Sequence, residues 1–311
     1  MTGYEALRAK AAWFDISNRG KIRVLGEDNV RLLHAMSTND VKNLAEGDGL
    51  YTFFLNDKGR ILADAYVYRF ADAVLLDTEP ETALSLREHL EAYIIADDVT
   101  LEDQTSTLAA IALEGPTSFE DAAALGLPIP AAPYSTAPWK SGFVARVSVT
   151  GAPGLRIFLP VGEIVSLTSK LQLAGVPQAH AEEVQAVRLE HGTPRFGEDI
   201  SARYLTPETQ IAHAVHSNKG CYLGQEIVER VRAQGQVHRL LSAVRISGTH
   251  PPEPGTKLLA DGKPVAEITS AAYSTALGEV VALAYVRREA LQAKTRMVVA
   301  DASPEIAAYL P

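Results

Sequence analysis

Apolar and polar positions alternate over residues 20–26, where Ile22 and Val24 share one face, and this period predicts a strand that Gly26 closes. The period then lengthens. Asp28 stands as the N-cap of a short helix carrying Leu32, Leu33 and Met36, and Ser37-Thr38-Asn39-Asp40 follows as a turn. Residues 51–70 alternate again as two strands around Asn56-Asp57-Lys58-Gly59, a hairpin signal with glycine where the backbone must be permissive. Thr78 and Glu81 have capping-box spacing and predict a helix with Leu86, Leu90, Tyr93 and Ile94 on one stripe. A strand at 107–113 passes through Gly115-Pro116 into a helix near 117–125. Four prolines between 127 and 139 predict a rigid loop. Residues 143–159 form a second hairpin around Gly151-Ala152-Pro153-Gly154, and a helix begins near Ala181 and breaks at Gly192-Thr193-Pro194. The first fifteen residues also read as a helix. From about residue 238 the texture becomes one of short alternating strands with turn residues between them, the pattern of a small all-β barrel or sandwich.

A chain of 311 residues with 47% hydrophobic and 22% charged residues has ample core material and a length that suggests about two domains. The net charge of −9 opposes general nucleic-acid binding, because affinity for phosphates comes from lysine and arginine. Arg230, Arg232, His238 and Arg239 form a local basic cluster that a solvated helix face explains. One cysteine leaves no intramolecular disulfide, and no apolar run approaches the length of about eighteen residues needed for a membrane span. Both features point to a reducing, cytoplasmic setting without a membrane partner.

That single cysteine lies in Asn218-Lys219-Gly220-Cys221-Tyr222-Leu223-Gly224-Gln225-Glu226. Leu223, Ile227 and Val231 recur four apart and predict an amphipathic helix from Leu223 onward, which would put Cys221 at a helix N-terminus. The helix end and Lys219 would both favour the thiolate there. Gly220 and Gly224 suit positive φ or close backbone approach. Two histidines three apart, His213 and His216, with one thiol lack the fourth ligand of a zinc site. A second candidate is Asp64, which shares a strand face with Leu62 and Tyr66, so its carboxylate is either at a wet sheet edge or inside a site with partners.

The string Lys-Gly-Cys-Tyr-x-Gly-Gln-Glu resembles the signature of the YgfZ-type folate-binding proteins, relatives of the glycine-cleavage T-protein. The likeness to that superfamily extends over most of residues 10–300: Thr38-Asn39-Asp40, Gly59-Arg60-Ile61-Leu62-Ala63-Asp64, Gly115-Pro116, the Arg188, Glu190, Gly192 element, Leu205-Thr206-Pro207-Glu208, Glu267-Ile268-Thr269-Ser270 and Ala282-Leu283-Ala284-Tyr285-Val286 all fall in its order. The resemblance implies an α+β fold, with two similar α/β subdomains forming a folate-binding region over residues 1–236, a cleft between them, and a small C-terminal β-barrel over residues 237–311. It implies tetrahydrofolate, or a one-carbon derivative, as cofactor, with Asp64, Arg188, Glu190, Tyr222 and Gln225 binding it and Cys221, Lys219 and Asp64 as the reactive groups. The function implied is that of an accessory protein for iron–sulfur cluster assembly or repair, with iron–sulfur enzymes or assembly proteins as partners and, through such enzymes, a link to tRNA modification. The alternative is a folate-dependent aminomethyltransferase. At Gly154-Leu155-Arg156 the chain departs from that alternative, since the transferases usually carry a pterin-gripping glutamate where Arg156 stands.

Overall fold

In the computed structural model, residues 1–235, 237–300 and 306–310 are described, so the expected boundary at 236/237 falls on a residue outside the described set. Two antiparallel five-stranded sheets and a closed barrel make up the architecture. The first sheet takes its strands in the order Gly49–Leu55, Ile61–Arg69, Val74–Thr78, Gly20–Leu25 and Thr100–Asp103. The second runs Ala12–Asp15, Leu108–Glu114, Gly154–Pro160, Gly142–Ala145 and Thr136–Trp139. The barrel is closed by Arg239–Ile246, Glu279–Arg287, Lys263–Ser274, Lys257–Ala260, Met297–Val299 and Ala307–Tyr309. The α+β class with two sheet subdomains and a C-terminal barrel is the one the sequence predicts.

Alternation along the strands sorts each sheet into two faces. On the first sheet Ile22, Val24, Phe54, Ala63, Ala65, Val67 and Leu76 pack against Leu32, Leu33 and Met36 of the helix Asn29–Met36 and Leu86 and Leu90 of the helix Ala83–Glu91. On the second, Ile111, Leu113, Val144, Leu155 and Ile157 pack against Leu167 and Leu171 of the helix Ile164–Leu173. The opposite faces meet each other: Tyr68 and Leu75 of the first sheet join Ala110, Ala112, Phe143 and Phe158 of the second in one cluster. Helices therefore lie outside and the two sheets are back to back. The inner layer is not uniformly apolar. It carries Lys21, Asp64, Asp77 and Arg156, all buried.

Three local expectations change. The N-terminal helix ends at Ala9, and Ala12–Asp15 pairs with Leu108–Glu114 as a strand. Thr78 does not cap a helix; it ends a strand, and its hydroxyl donates to the Asp64 carbonyl, leaving a 3-10 turn at Pro80–Thr82 to lead into the helix Ala83–Glu91. The last four residues of the proline-rich loop form the strand Thr136–Trp139, whose position at a sheet edge tolerates Pro138. Among the described residues no helix is long and apolar enough to cross a membrane.

Candidate functional site

Asp64 lies on Ile61–Arg69, an interior strand paired with Gly49–Leu55 and Val74–Thr78, so the wet-edge alternative does not apply. Cross-strand register puts Tyr51 opposite Tyr66 and Tyr66 opposite Asp77, and hence all on the inner face. Asp64 is 6% exposed, and the Tyr51 hydroxyl donates to its Oδ2 at 2.6 Å. Its Oδ1 is buried without a partner. Burial, reinforced by the negative charge of Glu79, pushes the Asp64 pKa up to about 7 against the opposing pull of Tyr51 and Arg19. Asp64 can therefore exchange a proton near neutrality.

A cavity of about 110 Å³ opens beside this carboxylate. Tyr51, Asp64 and Tyr66 of the first sheet form one wall, Val149 and Arg156 of the second half face them, and Arg188, Arg195, Ile211 and His213 come from the connecting segments. Aromatic rings line one side: Tyr51 and Tyr66 are 5.2 Å apart between centroids, and His213 lies 5.7 Å from Tyr51. The cavity volume is less than the roughly 150 Å³ that admits benzene in an engineered apolar cavity, so the enclosed part takes the edge of a flat ring system. The rest of a folate-sized molecule would lie outside it.

Ion pairs tie the two sheets together around the cavity. Arg156, 1% exposed, reaches from Gly154–Pro160 to Asp77 on the facing sheet, and Arg19 Nε reaches the other oxygen of Asp77 at 2.7 Å. Burial alone would raise the Asp77 pKa, but Arg156 and Arg19 outweigh it and hold the carboxyl below its ordinary range. Glu79 bridges Arg19 to Arg195, and Glu198 bridges Arg195 to Arg188. Two donors on Arg156, Nε and Nη2, remain unpartnered although buried. Arg19, Tyr51, Asp77, Glu79 and Arg195 are not singled out by the sequence; a signal existed for Asp77 alone, an acid closing the apolar run Val74-Leu75-Leu76.

The predicted residues separate into two groups. Asp64 and Arg188 line the cavity. Arg188, however, spends its terminal nitrogens on Asp199, the Thr193 carbonyl and Glu198, each at 2.7 Å, so its planar fork builds the wall and is not free to clamp a ligand. Glu190 is absent from the lining. It accepts from Tyr4 and Ser274 and pairs with Arg8 at 2.9 Å, joining the N-terminal helix to the barrel. Tyr222 is buried among Phe53, Leu55 and Ile61, and Gln225 accepts from the Tyr222 amide at 3.3 Å; neither lines the cavity.

Cys221 is exposed, but not at a helix N-terminus. The helix is Gln225–Gln234 with Gly224 as its N-cap at φ 82°, so it starts two residues later than the spacing suggests. Lys219 turns away from the thiol. Its ammonium donates to the carbonyls of His34 and Ser37, the latter at 2.6 Å, while His34 Nε2 donates to the Lys219 carbonyl at 2.8 Å. Burial lowers the Lys219 pKa to about 8. Lys219 thus anchors the loop to the helix Asn29–Met36, and neither electrostatic cause assigned to thiol activation is in place. The close approach expected of Gly224 is present: a Cβ there would sit 2.6 Å from the Asn56 carbonyl oxygen.

The profile of the GCVT N-terminal domain matches residues 2–219, and that of the glycine cleavage T-protein C-terminal barrel domain matches residues 239–309. The chain belongs to the glycine-cleavage T-protein family. Within this family it is similar to a protein of Arabidopsis thaliana whose name marks it provisionally as a chloroplastic transferase, at 28% identity over 304 residues, covering 96% of this chain and 70% of that protein. It is also 28% identical over 302 residues to an aminomethyltransferase of a Nostoc strain, covering 91% of this chain and 78% of that protein. Its fold is that of the glycine cleavage system aminomethyltransferase T of Bartonella henselae, with a TM-score of 0.89 at 24% identity over 99% of this chain and 86% of that one. The Arg156 that departs from the transferase pattern is thus a buried member of a cavity built within a T-protein fold.

Proposed function

We propose that the inter-sheet cavity holds the pterin end of a reduced folate, tetrahydrofolate or a one-carbon derivative, and that the protein is a folate-dependent transferase of the aminomethyltransferase kind. The observation that carries this reading is the trio of unpartnered buried atoms: Asp64 Oδ1 and the Nε and Nη2 of Arg156. Buried polar groups are costly without partners, so such atoms around a cavity specify a ligand. They call for a flat group offering a donor to the carboxylate and acceptors to the guanidinium, and the 2-amino-4-oxo pterin ring of a folate presents both at its edge. Tyr51, Tyr66 and His213 would meet its faces. A bound tetrahydrofolate supplies nitrogens that carry one-carbon units. Asp64 orients that ring and holds or releases a proton at Oδ1, Tyr51 fixes its other oxygen, and Arg156 and Arg19 with Asp77 exclude water from the inner wall. The transferase names of the relatives support this reading over the accessory role. The folate region is taken to end at residue 236 and the barrel to span 237–311.

A second reading rests on Cys221. The YgfZ-like motif buries Lys219 and Tyr222 and leaves the thiol exposed, an arrangement suited to contact with iron–sulfur enzymes or assembly proteins. Isothermal titration with tetrahydrofolate tests the common element; no heat and no thermal shift at millimolar folate would remove both readings. Formation of methylenetetrahydrofolate from an aminomethylated lipoyl protein, lost in Asp64→Ala, supports the transferase. Folate binding without that turnover, together with loss of iron–sulfur enzyme activity in cells carrying only Cys221→Ser, supports the accessory role.

A further inference from the structure

The motif Glu267-Ile268-Thr269-Ser270 lies on the barrel, outside the residues that line the cavity, yet the structure gives it a link to the site. Neighbouring residues of a regular strand point to opposite faces. The pairing of Lys263–Ser274 with Glu279–Arg287 shifts register between Ile268 and Ser270, a bulge that allows two successive side chains to reach one side. Both hydroxyls reach the same atom. Thr269 Oγ1 donates to Asp199 Oδ1 at 2.5 Å and Ser270 Oγ donates to it at 2.6 Å.

Asp199 is fully buried, and its other side faces the cavity wall. Oδ2 accepts from Arg188 Nη1 at 2.7 Å and from the Arg195 amide at 3.0 Å, while the Tyr285 hydroxyl of the barrel donates to the Asp199 carbonyl at 3.0 Å. The Asp199 amide closes the turn by donating to the Arg195 carbonyl at 2.8 Å. Everything the carboxylate touches on this side belongs to the segment that supplies Arg188, Thr193, Pro194 and Arg195 to the cavity. One oxygen is therefore held by the barrel and the other holds the wall.

We infer that Asp199, clamped by Thr269 and Ser270 at the barrel bulge, is the positioning residue for the 188–195 wall, so that the barrel sets the shape of a cavity it does not line. This rests on the folate reading for the identity of the ligand, but not for the existence of the clamp. At metal sites, removing the hydrogen-bonded supports behind the ligands costs about 10- to 100-fold in affinity, and for supports that shape a wall we take the low end, about tenfold.

The test compares Thr269→Val/Ser270→Ala with Thr269→Ser, which keeps the hydroxyl, and with Ser274→Ala, which cuts a different tie of the barrel, the one to Glu190. Tetrahydrofolate titration of the full chain should show Kd raised about tenfold in the double variant and near the parent value in the other two. Hydrogen exchange followed by mass spectrometry, without folate, should show faster exchange of the amides of Gly197, Asp199 and Ile200 in the double variant only. If the parent chain binds no folate, the folate reading fails and the exchange data alone decide the clamp. Unchanged exchange in the double variant, or equal loosening in Ser274→Ala, overturns it. So does a folded double variant that binds folate as tightly as the parent.

Discussion

Replacing Asp64 with asparagine removes a charge whose burial is costly and keeps an oxygen for the Tyr51 hydroxyl. In the unfolded chain this carboxyl titrates near 3.8, and in the folded chain near 7. A raised folded-state pKa means that the stability linked to this group is fully present below about pH 4, declines as the pH rises toward 7, and is flat above it. Above pH 7 the loss is the full shift of about three units, or about 4 kcal/mol at 1.36 kcal/mol per unit. At pH 5 only about one unit has accrued, roughly 1.6 kcal/mol. Asparagine does not titrate, so its advantage over the parent should grow by about 2.5 kcal/mol between pH 5 and pH 8. At about 2 °C per kcal/mol for a chain of this size, the gap in Tm widens by about 5 °C. Thermal unfolding followed by circular dichroism at pH 5, 6, 7 and 8, at one ionic strength and without folate, measures it. A gap that stays constant within about 1 °C, or narrows as the pH rises, would refute the claim that burial dominates the Asp64 environment.

Three further outcomes are expected. Gly224→Ala forces a side chain into a φ of 82° with its Cβ 2.6 Å from the Asn56 carbonyl oxygen, and should destabilise by more than about 2 kcal/mol, whereas Gly220→Ala at φ 96° meets open space and should cost only about 1 kcal/mol; urea unfolding separates them. Lys219→Met abandons the His34 and Ser37 carbonyls and should cost about 2–3 kcal/mol while exposing the 216–224 loop to limited proteolysis, a result that intact resistance would contradict. Cys221→Ser should alter stability by less than about 0.5 kcal/mol, and iodoacetamide should label Cys221 in the folded protein within a few-fold of its rate in urea; strong protection would mean that the thiol is not free at the surface.

The periodic signals carried most of the architecture. The hairpin around Asn56 and Gly59, the strand Gly20–Leu25 and the barrel strands all appear where alternation put them, because each buries one face or both. Local chemistry misled where a distant group competed for the same atoms. Thr78 has the spacing of a cap, but its hydroxyl is taken by the Asp64 carbonyl, and the helix near Cys221 starts late because Gly224 is wedged against Asn56. Asp64 was legible as a costly carboxylate, yet what surrounds it was not: Tyr51 lies on the neighbouring strand, Glu79 past the end of the next one, and Arg156 on the other sheet. Arg188 and Glu190, two residues apart on the same helix, serve different neighbours, one facing the cavity wall and the other the N-terminal helix and barrel. Motif spacing cannot separate them.

The strand Ala12–Asp15 sits in the second sheet, although the whole first sheet intervenes before its partner Leu108–Glu114. On the ribosome this has a temporal meaning. The stretch from Gly20 to Asp103 contains every strand of the first sheet and can pair within itself as soon as it emerges, while the residues before it wait unpaired for roughly ninety more to be made, about 5–20 s at ordinary elongation rates. The Glu190 contact to Tyr4 and Arg8 keeps the amino terminus waiting longer still, and the Ser274 contact completes that joint only when the barrel is synthesised. Tyr4, Arg8 and the strand Ala12–Asp15 are thus among the last to find their places, and a pause in translation before the barrel would leave them open to chaperones and proteases.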